Sequence, residues 1–362
     1  MNNKSEYGIF DPAEIPCEEI SDSNVLVKEP VVSTFMVTYN HAPYIAQAIQ
    51  GVLQQETKFP FELVIGEDCS TDGTREIVFD YQKSYPEIIR VVTSDKNIGA
   101  RRNGIRTEKA CRGKYIAYCE GDDYWHHPQK LQKQVDYLES HPECGLVHSD
   151  QDRYYERTGK KIRDFFRTTN NIPLENFNIF RGWGHYHILT CTVIVRKHLI
   201  DKIISDPHIY RNDQYIGGSD IPLAIEVSML SKIHYIDESL STYTVRNESA
   251  SNISNPLKRA RFNKSVIEAY LYLAGKYDQE KEKEFLQQRW CRASLWLAFF
   301  ESNAKLAYKV RRIDNSFSVK AWILYVGAIN PIIHIILRTP CMLYLKLKKI
   351  HSSRQLRRFA DF

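Results

Sequence analysis

Between Val31 and Leu138, β-branched runs of strand length alternate with stretches whose apolar residues recur every three or four positions, and this alternation restricts the fold more than any other feature. Val31 to Tyr39 (VVSTFMVTY) reads as a strand and Asn40-His41-Ala42-Pro43 as a loop. Ile45, Ala48, Ile49, Val52 and Leu53 then fall on one face of a 3.6-residue period and predict a helix. Phe61 to Ile65 predicts a second strand, and Ser70-Thr71-Asp72-Gly73-Thr74 supplies capping residues to a helix bearing Ile77, Val78, Tyr81 and Tyr85. Ile89 to Thr93, the helical stretch Asn103 to Cys111, and the strand Lys114 to Cys119 (KYIAYC) continue the pattern. Pro128 opens a further helix with Leu131, Val135 and Leu138 inward. Strands alternating with amphipathic helices imply an α/β fold, a mostly parallel sheet flanked by helices, and such sheets bind ligands beyond the carboxyl ends of their strands.

Past Leu146 to Asp150 the pattern loosens into a polar stretch near 151–182, a strand at Thr190 to Arg196, a helix after Ser219-Asp220 and a short strand near His234 to Ile236. From about Pro256 to Asn315 the chain reads as helical throughout. At 43% hydrophobic and 26% charged, the 362 residues exclude a disordered or collagenous chain. The charge is uneven. Residues 1–30 carry seven acids against Lys4 and Lys28 and read as a loose acidic leader, whereas 338–362 carry seven basic residues against Asp361 alone. The eight cysteines form no C-x-x-C pair and read as reduced thiols, which excludes a disulfide framework and a structural zinc. With no apolar stretch near Met1, the expected compartment is the cytoplasm.

Three loops at strand ends carry acids: Glu67-Asp68, Glu120-Gly121-Asp122-Asp123, and Asp220 in Gly217-Gly218-Ser219-Asp220. Converging carboxylates call for a counter-charge, and a hard divalent cation, Mg²⁺ or Mn²⁺, prefers oxygen ligands and bridges carboxylates to substrate phosphates. Read singly, each acid also suits a loop or a helix cap.

Thr38-Tyr39-Asn40-His41, Glu67-Asp68-Cys69-Ser70-Thr71-Asp72-Gly73-Thr74, Asn97-Ile98-Gly99 and Lys114-Tyr115-Ile116-Ala117 leading to Glu120-Gly121-Asp122-Asp123-Tyr124-Trp125 resemble the family 2 glycosyltransferases of GT-A fold, including those of bacterial surface polysaccharides. The resemblance covers roughly Val31 to Ser251. It implies a GT-A, Rossmann-like domain over 31–255, with a nucleotide-binding half at 31–125 and an acceptor half at 126–255. A helical region at 256–315 and an apolar, basic tail at 316–362 would follow.

The resemblance also implies roles. Thr38, Tyr39 and Asn40 would line the donor nucleotide, with Tyr39 stacked on the base and Glu67 or Asp68 accepting from its ring N–H. Asn97 and Asn103 would shape the base and ribose pocket, though Asn97 equally suits a turn. Glu120-Gly121-Asp122 stands where the family carries D-x-D, so Asp122 would hold the metal with Asp123 in support and Glu120 toward the ribose. Arg246, in Tyr243-Thr244-Val245-Arg246, would pair with the diphosphate. Asp220 would be the general base, or a helix cap, or both. His185 and His187 precede the strand at Thr190 without a metal-like spacing.

The expected activity is an inverting, metal-dependent transfer of a sugar from a nucleotide-sugar, UDP preferred, to a hydroxyl of a glycan or lipid-linked glycan. The alternative is an inactive nucleotide-sugar-binding or membrane scaffold, suggested by the departures at Glu67, Glu120 and Ser219. A nucleotidyltransferase would want a Gly-rich basic loop after the first strand, which Thr38 to Pro43 lacks. Ala321 to Leu337 is apolar but broken by Asn330, Pro331 and His334. With the basic residues after it, this segment fits peripheral association with an anionic membrane, or else a buried helical pair. Nucleic-acid binding is not expected, since no basic face is interleaved with aromatics.

Overall fold

The computed structural model describes residues 9–170, 180, 188–212, 220–246 and 255–339, with the side chains of 220 and 221 excepted. The chain divides into two compact units. The first comprises 1–214 and 219–246, and the second 215–218 and 247–362.

Among the described residues the first unit is a ten-stranded mixed sheet with helices. In chain order its elements are β1 (Glu18–Ile20), β2 (Val32–Thr38), α1 (Ile45–Leu53), β3 (Phe61–Glu67), α2 (Thr74–Ser84), β4 (Ile89–Thr93), α3 (Ala100–Ala110), β5 (Tyr115–Tyr118) and β6 (Tyr124–Trp125). They continue with α4 (Lys130–Ser140), β7 (Cys144–Tyr155), β8 (Lys160–Ile162), α5 (Phe165–Thr168), β9 (Ile194–Arg196), α6 (Lys197–Ile204), α7 (Asp220–Leu230) and β10 (Lys232–Val245). The sheet order is β1-β4-β3-β2-β5-β9-β7-β10-β6, with β8 on β7. The section β4-β3-β2-β5 is parallel throughout, as the strand–helix alternation requires. Beyond it β9 runs antiparallel to β5 and β7, and β7 pairs with β10 in parallel.

The core is the layer predicted from periodicity. Ile45, Ala48, Ile49 and Val52 of α1 and Leu131 and Leu138 of α4 lie fully buried against Met36, Leu63, Ile65 and Val147 of the sheet. Each of the valine, leucine, isoleucine and methionine side chains contributes about 1.5–3 kcal/mol on leaving water. This packing fixes the carboxyl ends of β2, β3 and β5 side by side. Backbone hydrogen bonds extend the alignment past the strands: Asp68 N donates to Thr38 O, and Gly121 N to Val37 O.

Three local expectations are corrected. The leader is not loose over its described part: β1 pairs antiparallel with β4, placing Glu19 against Val92, and Phe10 and Ile15 pack on Ile105. Its acids look solvated in sequence, yet Glu19 receives two hydrogen bonds from the buried Arg90. The stretch from Thr190 begins as a 3₁₀ turn, Thr190–Thr192, so the strand is confined to Ile194–Arg196. The short strand near His234 is the start of the 14-residue β10, lengthened by its parallel pairing with β7.

In the second unit, α8 (Pro256–Lys276), α9 (Glu280–Glu301), α10 (Ala304–Ile313) and α11 (Val319–Ile329) are followed by α12 (331–339). Asn255 caps α8 through hydrogen bonds from Leu257 N and Lys258 N, and Pro256 occupies the first turn. Helical composition over 256–315 is therefore realised as three helices.

Candidate functional site

The loops after β2, β3 and β5 meet in one cluster. Asn40 adopts φ 54°, turning the chain sharply after Tyr39. Its side-chain oxygen accepts from Thr71 N at 2.9 Å, and its own N–H donates to Ser70 Oγ at 3.1 Å. Ala42 N donates to Asp72 Oδ2, while Asp72 Oδ1 accepts from Thr74 N and Oγ1 at the start of α2. The loop after β2 is thus stitched to the loop after β3. Tyr39 projects from the junction 44% exposed, an accessible aromatic face beside buried acids.

The two acids ending β3 differ in occupation. Glu67 is fully buried and accepts from Cys69 N (3.1 Å), Ser70 N (2.6 Å) and Thr93 Oγ1 (3.0 Å), with Arg75 Nε 3.2 Å away. It builds the loop. Asp68 is also buried and accepts from Ile98 N at 2.8 Å and Gly99 N at 2.9 Å, one bond on each oxygen, with Arg106 4.0 Å away. Burial raises its pKa, an effect opposed by those amides and Arg106. Asn97 serves the turn: its amide donates to Asp68 O and its oxygen accepts from Gly99 N. Asn103 is buried. Its buried amide donates to Gly66 O at 2.7 Å and accepts from Arg106 Nε at 3.0 Å, so it packs α3 on β3.

After β5 the acids face different ways. Asp123 turns inward to accept from Thr244 N at 2.7 Å, and burial, then Asp122 and Glu120, hold its pKa well above the usual carboxylate value. Asp122 stays one-fifth exposed. Its Oδ2 lies 3.1 Å from Arg246 Nη1 and 3.8 Å from His41 Nε2. Burial lowers the His41 pKa against the pull of Asp122, which favours a neutral imidazole. Thr38 is buried at the floor, and a Cβ added at Gly121 would lie 2.7 Å from Thr38 Oγ1, so this loop crosses β2 where only glycine fits. Arg246 follows β10 directly, with its guanidinium 5.3 Å from the Tyr44 ring, and the Tyr44 hydroxyl donates to Glu156.

Among the described residues no three His, Cys, Asp or Glu side chains converge to cage a metal. Asp122 presents a partly exposed carboxylate oxygen within reach of Arg246 and His41, and oxygen is the donor type that Mg²⁺ and Mn²⁺ prefer. Asp220 is the first residue of α7, and its side chain lies outside the described residues, as do His185, His187 and Asn247 to Ser251.

Sequence reasoning missed Arg75, Arg106 and Tyr44. Arg75 donates to Thr93 Oγ1 and Ser94 O behind Glu67, and Arg106 donates to Glu67 O, Ser94 Oγ and Pro16 O. The signal for Arg106 was its place one turn after Asn103 on an otherwise buried helical face. Tyr44 offered none.

The model of glycosyl transferase family 2 matches residues 33–204. An uncharacterized protein of Mycobacterium tuberculosis (strain ATCC 25618 / H37Rv) is 45% identical over 134 residues, 37% of this chain and 38% of that protein. The putative teichuronic acid biosynthesis glycosyltransferase TuaG of Bacillus subtilis (strain 168) is 36% identical over 110 residues, 30% of this chain and 42% of TuaG. The match spans about two fifths of these relatives' own length. Among solved structures, S. aureus TarS 1–349 in complex with UDP-GlcNAc aligns with TM-score 0.50 at 18% identity, over 82% of this chain and 79% of that one. The mannosyltransferase PcManGT from Pyrobaculum calidifontis in complex with GDP-Man and Mn²⁺ aligns with TM-score 0.50 at 15% identity, over 90% and 91%. These likenesses show a shared GT-A fold.

Proposed function

We propose, from the premise that residues 33–204 belong to glycosyl transferase family 2, that the chain is an inverting glycosyltransferase of surface polysaccharide assembly. It would move a hexosyl or N-acetylhexosaminyl group from a nucleotide-sugar, UDP-linked by preference, to a hydroxyl of a glycan or lipid-linked glycan. The observation that carries the reading is the loop cluster at the ends of β2, β3 and β5, where exposed Tyr39, buried Asp68 and partly exposed Asp122 meet.

Tyr39 would stack on the base, with Thr38 and Asn40 shaping the loop beneath. Asp68 is preferred over Glu67 for reading the base N–H, because a carboxylate has about four lone-pair sites and Asp68 spends one bond on each oxygen, whereas Glu67 is surrounded by four donors. Glu120 would face the ribose. Asp122 would hold a divalent cation, Mg²⁺ or Mn²⁺, which when bound neutralises the charge growing on the leaving diphosphate. Asp123, committed to Thr244 N, would fix the loop rather than bind metal. Arg246 would exchange Asp122 for diphosphate oxygens, using its forked donors.

Asp220 would take the proton of the acceptor hydroxyl as its oxygen bonds to the anomeric carbon, while the bond from that carbon to the diphosphate breaks on the opposite side with its electron pair. One displacement inverts the anomeric centre. The cytoplasmic side of the cell membrane, reached through the basic C-terminal residues, is the proposed place of work. The test is incubation of the full chain with UDP-, GDP- and dTDP-sugars, Mn²⁺ and lipid-linked acceptors, reading nucleoside diphosphate release and the anomeric configuration of the product. An inverted linkage from one donor supports the reading, and no release from any donor with any acceptor contradicts it.

A further inference from the structure

The exposed apolar surface of the described chain is concentrated in the second unit. Tyr308, Ile313, Val319, Trp322, Ile323, Ile332, Ile335 and Ile336 are eight of its thirteen large exposed hydrophobic residues. Two short helices organise the patch. On α11, Leu324, Gly327 and Ala328 face inward, with Gly327 so close to the Phe299 ring that an added Cβ would lie 2.6 Å from it. On α12, His334 is buried with its ring 5.0 Å from that of Phe299.

The opposite faces carry Val319, Trp322 and Ile323, then Ile332, Ile335 and Ile336, each set at i, i+3 and i+4. Ile332 and Ile335 are 71% and 73% exposed, values an isoleucine rarely reaches on a surface meant for water. Pro331 breaks the two helices apart, and Asn330 restarts the second by accepting from Ile332 N and Ile333 N.

Charge selects the occupant of this face. Residues 302–362 hold twelve basic residues and two acids, Asp314 and Asp361, a net +10. Because the whole chain is +5, residues 1–301 carry −5. Six of the twelve, Lys305, Lys309, Arg311, Arg312, Lys320 and Arg338, lie among the described residues against Asp314 alone, so two copies of this region repel each other, whereas an anionic surface attracts it. Trp322 sits under Arg311, whose guanidinium is 5.1 Å from the ring, an aromatic and a cation paired as at a headgroup boundary. Among the described residues no helix is long and apolar enough to cross a membrane.

We infer that the outer faces of α11 and α12 form a monotopic docking surface for an anionic lipid bilayer, the isoleucines and Trp322 entering the acyl boundary and the basic residues meeting phosphate headgroups. The inference deepens the membrane side of the function proposed above and rests on that reading only for its purpose.

The test is flotation of the full chain with vesicles of equimolar phosphatidylglycerol and phosphatidylethanolamine, against vesicles of phosphatidylcholine alone. The wild-type chain floats with the anionic vesicles. I335S/I336S lowers the partition coefficient about a hundredfold or more, since two apolar side chains are lost from the boundary. W322S lowers it as well, while both variants keep the wild-type circular dichroism and nucleotide binding. Equal flotation of I335S/I336S and wild type overturns the inference, as does a wild-type dimer in light scattering that the variant dissolves without any vesicle binding. A wild-type chain that binds nucleotide but does not float with the anionic vesicles sinks this surface alone. Nucleotide binding absent from a chain that still floats sinks the transferase reading instead.

Discussion

Arg246 Nη1 stands 3.1 Å from Asp122 Oδ2, so a guanidinium occupies the carboxylate that the transferase reading gives to a divalent cation. Burial works against the Arg246 charge, yet the hydrogen bond and charge of Asp122 raise its pKa. The guanidinium therefore stays charged, and on the transferase reading donor binding would exchange one cation for another at the same oxygen.

Arg246→Ala removes that exchange and the donors proposed for the diphosphate. Charge-assisted hydrogen bonds contribute about 1.5–3 kcal/mol, so nucleoside diphosphate affinity should fall about ten- to hundredfold while its Mn²⁺ dependence remains. Titration calorimetry checks both, and unchanged affinity would remove Arg246 from the site.

Asp220→Asn should bind the donor as wild type does and lose transfer by a factor of about 10² to 10⁴, the usual contribution of a general base. Single-turnover kinetics beside equilibrium donor binding separates the two effects. A variant that transfers at the wild-type rate contradicts the assignment.

Gly121→Ala places a Cβ 2.7 Å from Thr38 Oγ1 and 2.8 Å from Thr38 Cβ. Overpacking of this kind costs about 1–3 kcal/mol, and here it displaces the loop that carries Asp122. Donor affinity should fall with only a modest drop in Tm, and wild-type affinity would show that the loop tolerates the shift.

Glu62 is fully buried between Arg90 Nη1 at 3.2 Å and Arg112 Nη2 at 2.6 Å, and it also accepts from Ser33 Oγ. Removing one partner of a buried ionic network costs about 3–5 kcal/mol, so Glu62→Ala should shift the urea midpoint strongly. It should also loosen the β1 leader, which Arg90 holds through Glu19. Limited proteolysis near residue 20 would report the second effect.

Lys130 is fully buried with its ammonium 4.3 Å from the Trp125 ring centroid, and burial lowers its pKa from 10.5 to about 7. Between those values the unfolded chain keeps a proton that the folded chain releases, so this residue makes stability rise with pH from about 7 toward 10.5. Glu108, raised by burial from 4.5 to about 7, works the other way: the folded chain holds the extra proton, and stability falls as pH rises across that range. Each contribution has a slope of up to about 1.4 kcal/mol per pH unit. Lys130→Met should flatten the alkaline rise and Glu108→Gln the acid-side fall, as read by denaturation at a series of pH values.

The parallel section of the sheet was legible because its apolar periods are unbroken: Ile45, Ala48, Ile49 and Val52 announce α1 without help from any partner. The acid-bearing loops were legible because they follow predicted strands directly. Orientation was not. Asp122 and Asp123 are neighbours of the same type, and the distant Thr244 amide, 121 residues on, holds one inward while the other stays open. Glu67 and Asp68 are divided in the same way by Arg75 and the Ile98 and Gly99 amides. The leader misled because Glu19 looks like a solvated charge until Arg90, hidden within an apolar strand, is set beside it.

Calorimetric titration of the full chain and of Asp122→Ala with UDP, GDP, dTDP and ADP, each with and without Mn²⁺, tests the central claim most directly. The account predicts that one nucleotide binds wild type tightly, that the binding requires Mn²⁺, and that Asp122→Ala abolishes the metal-dependent part. Binding by none of them, or binding equally strong without metal and in Asp122→Ala, would contradict it.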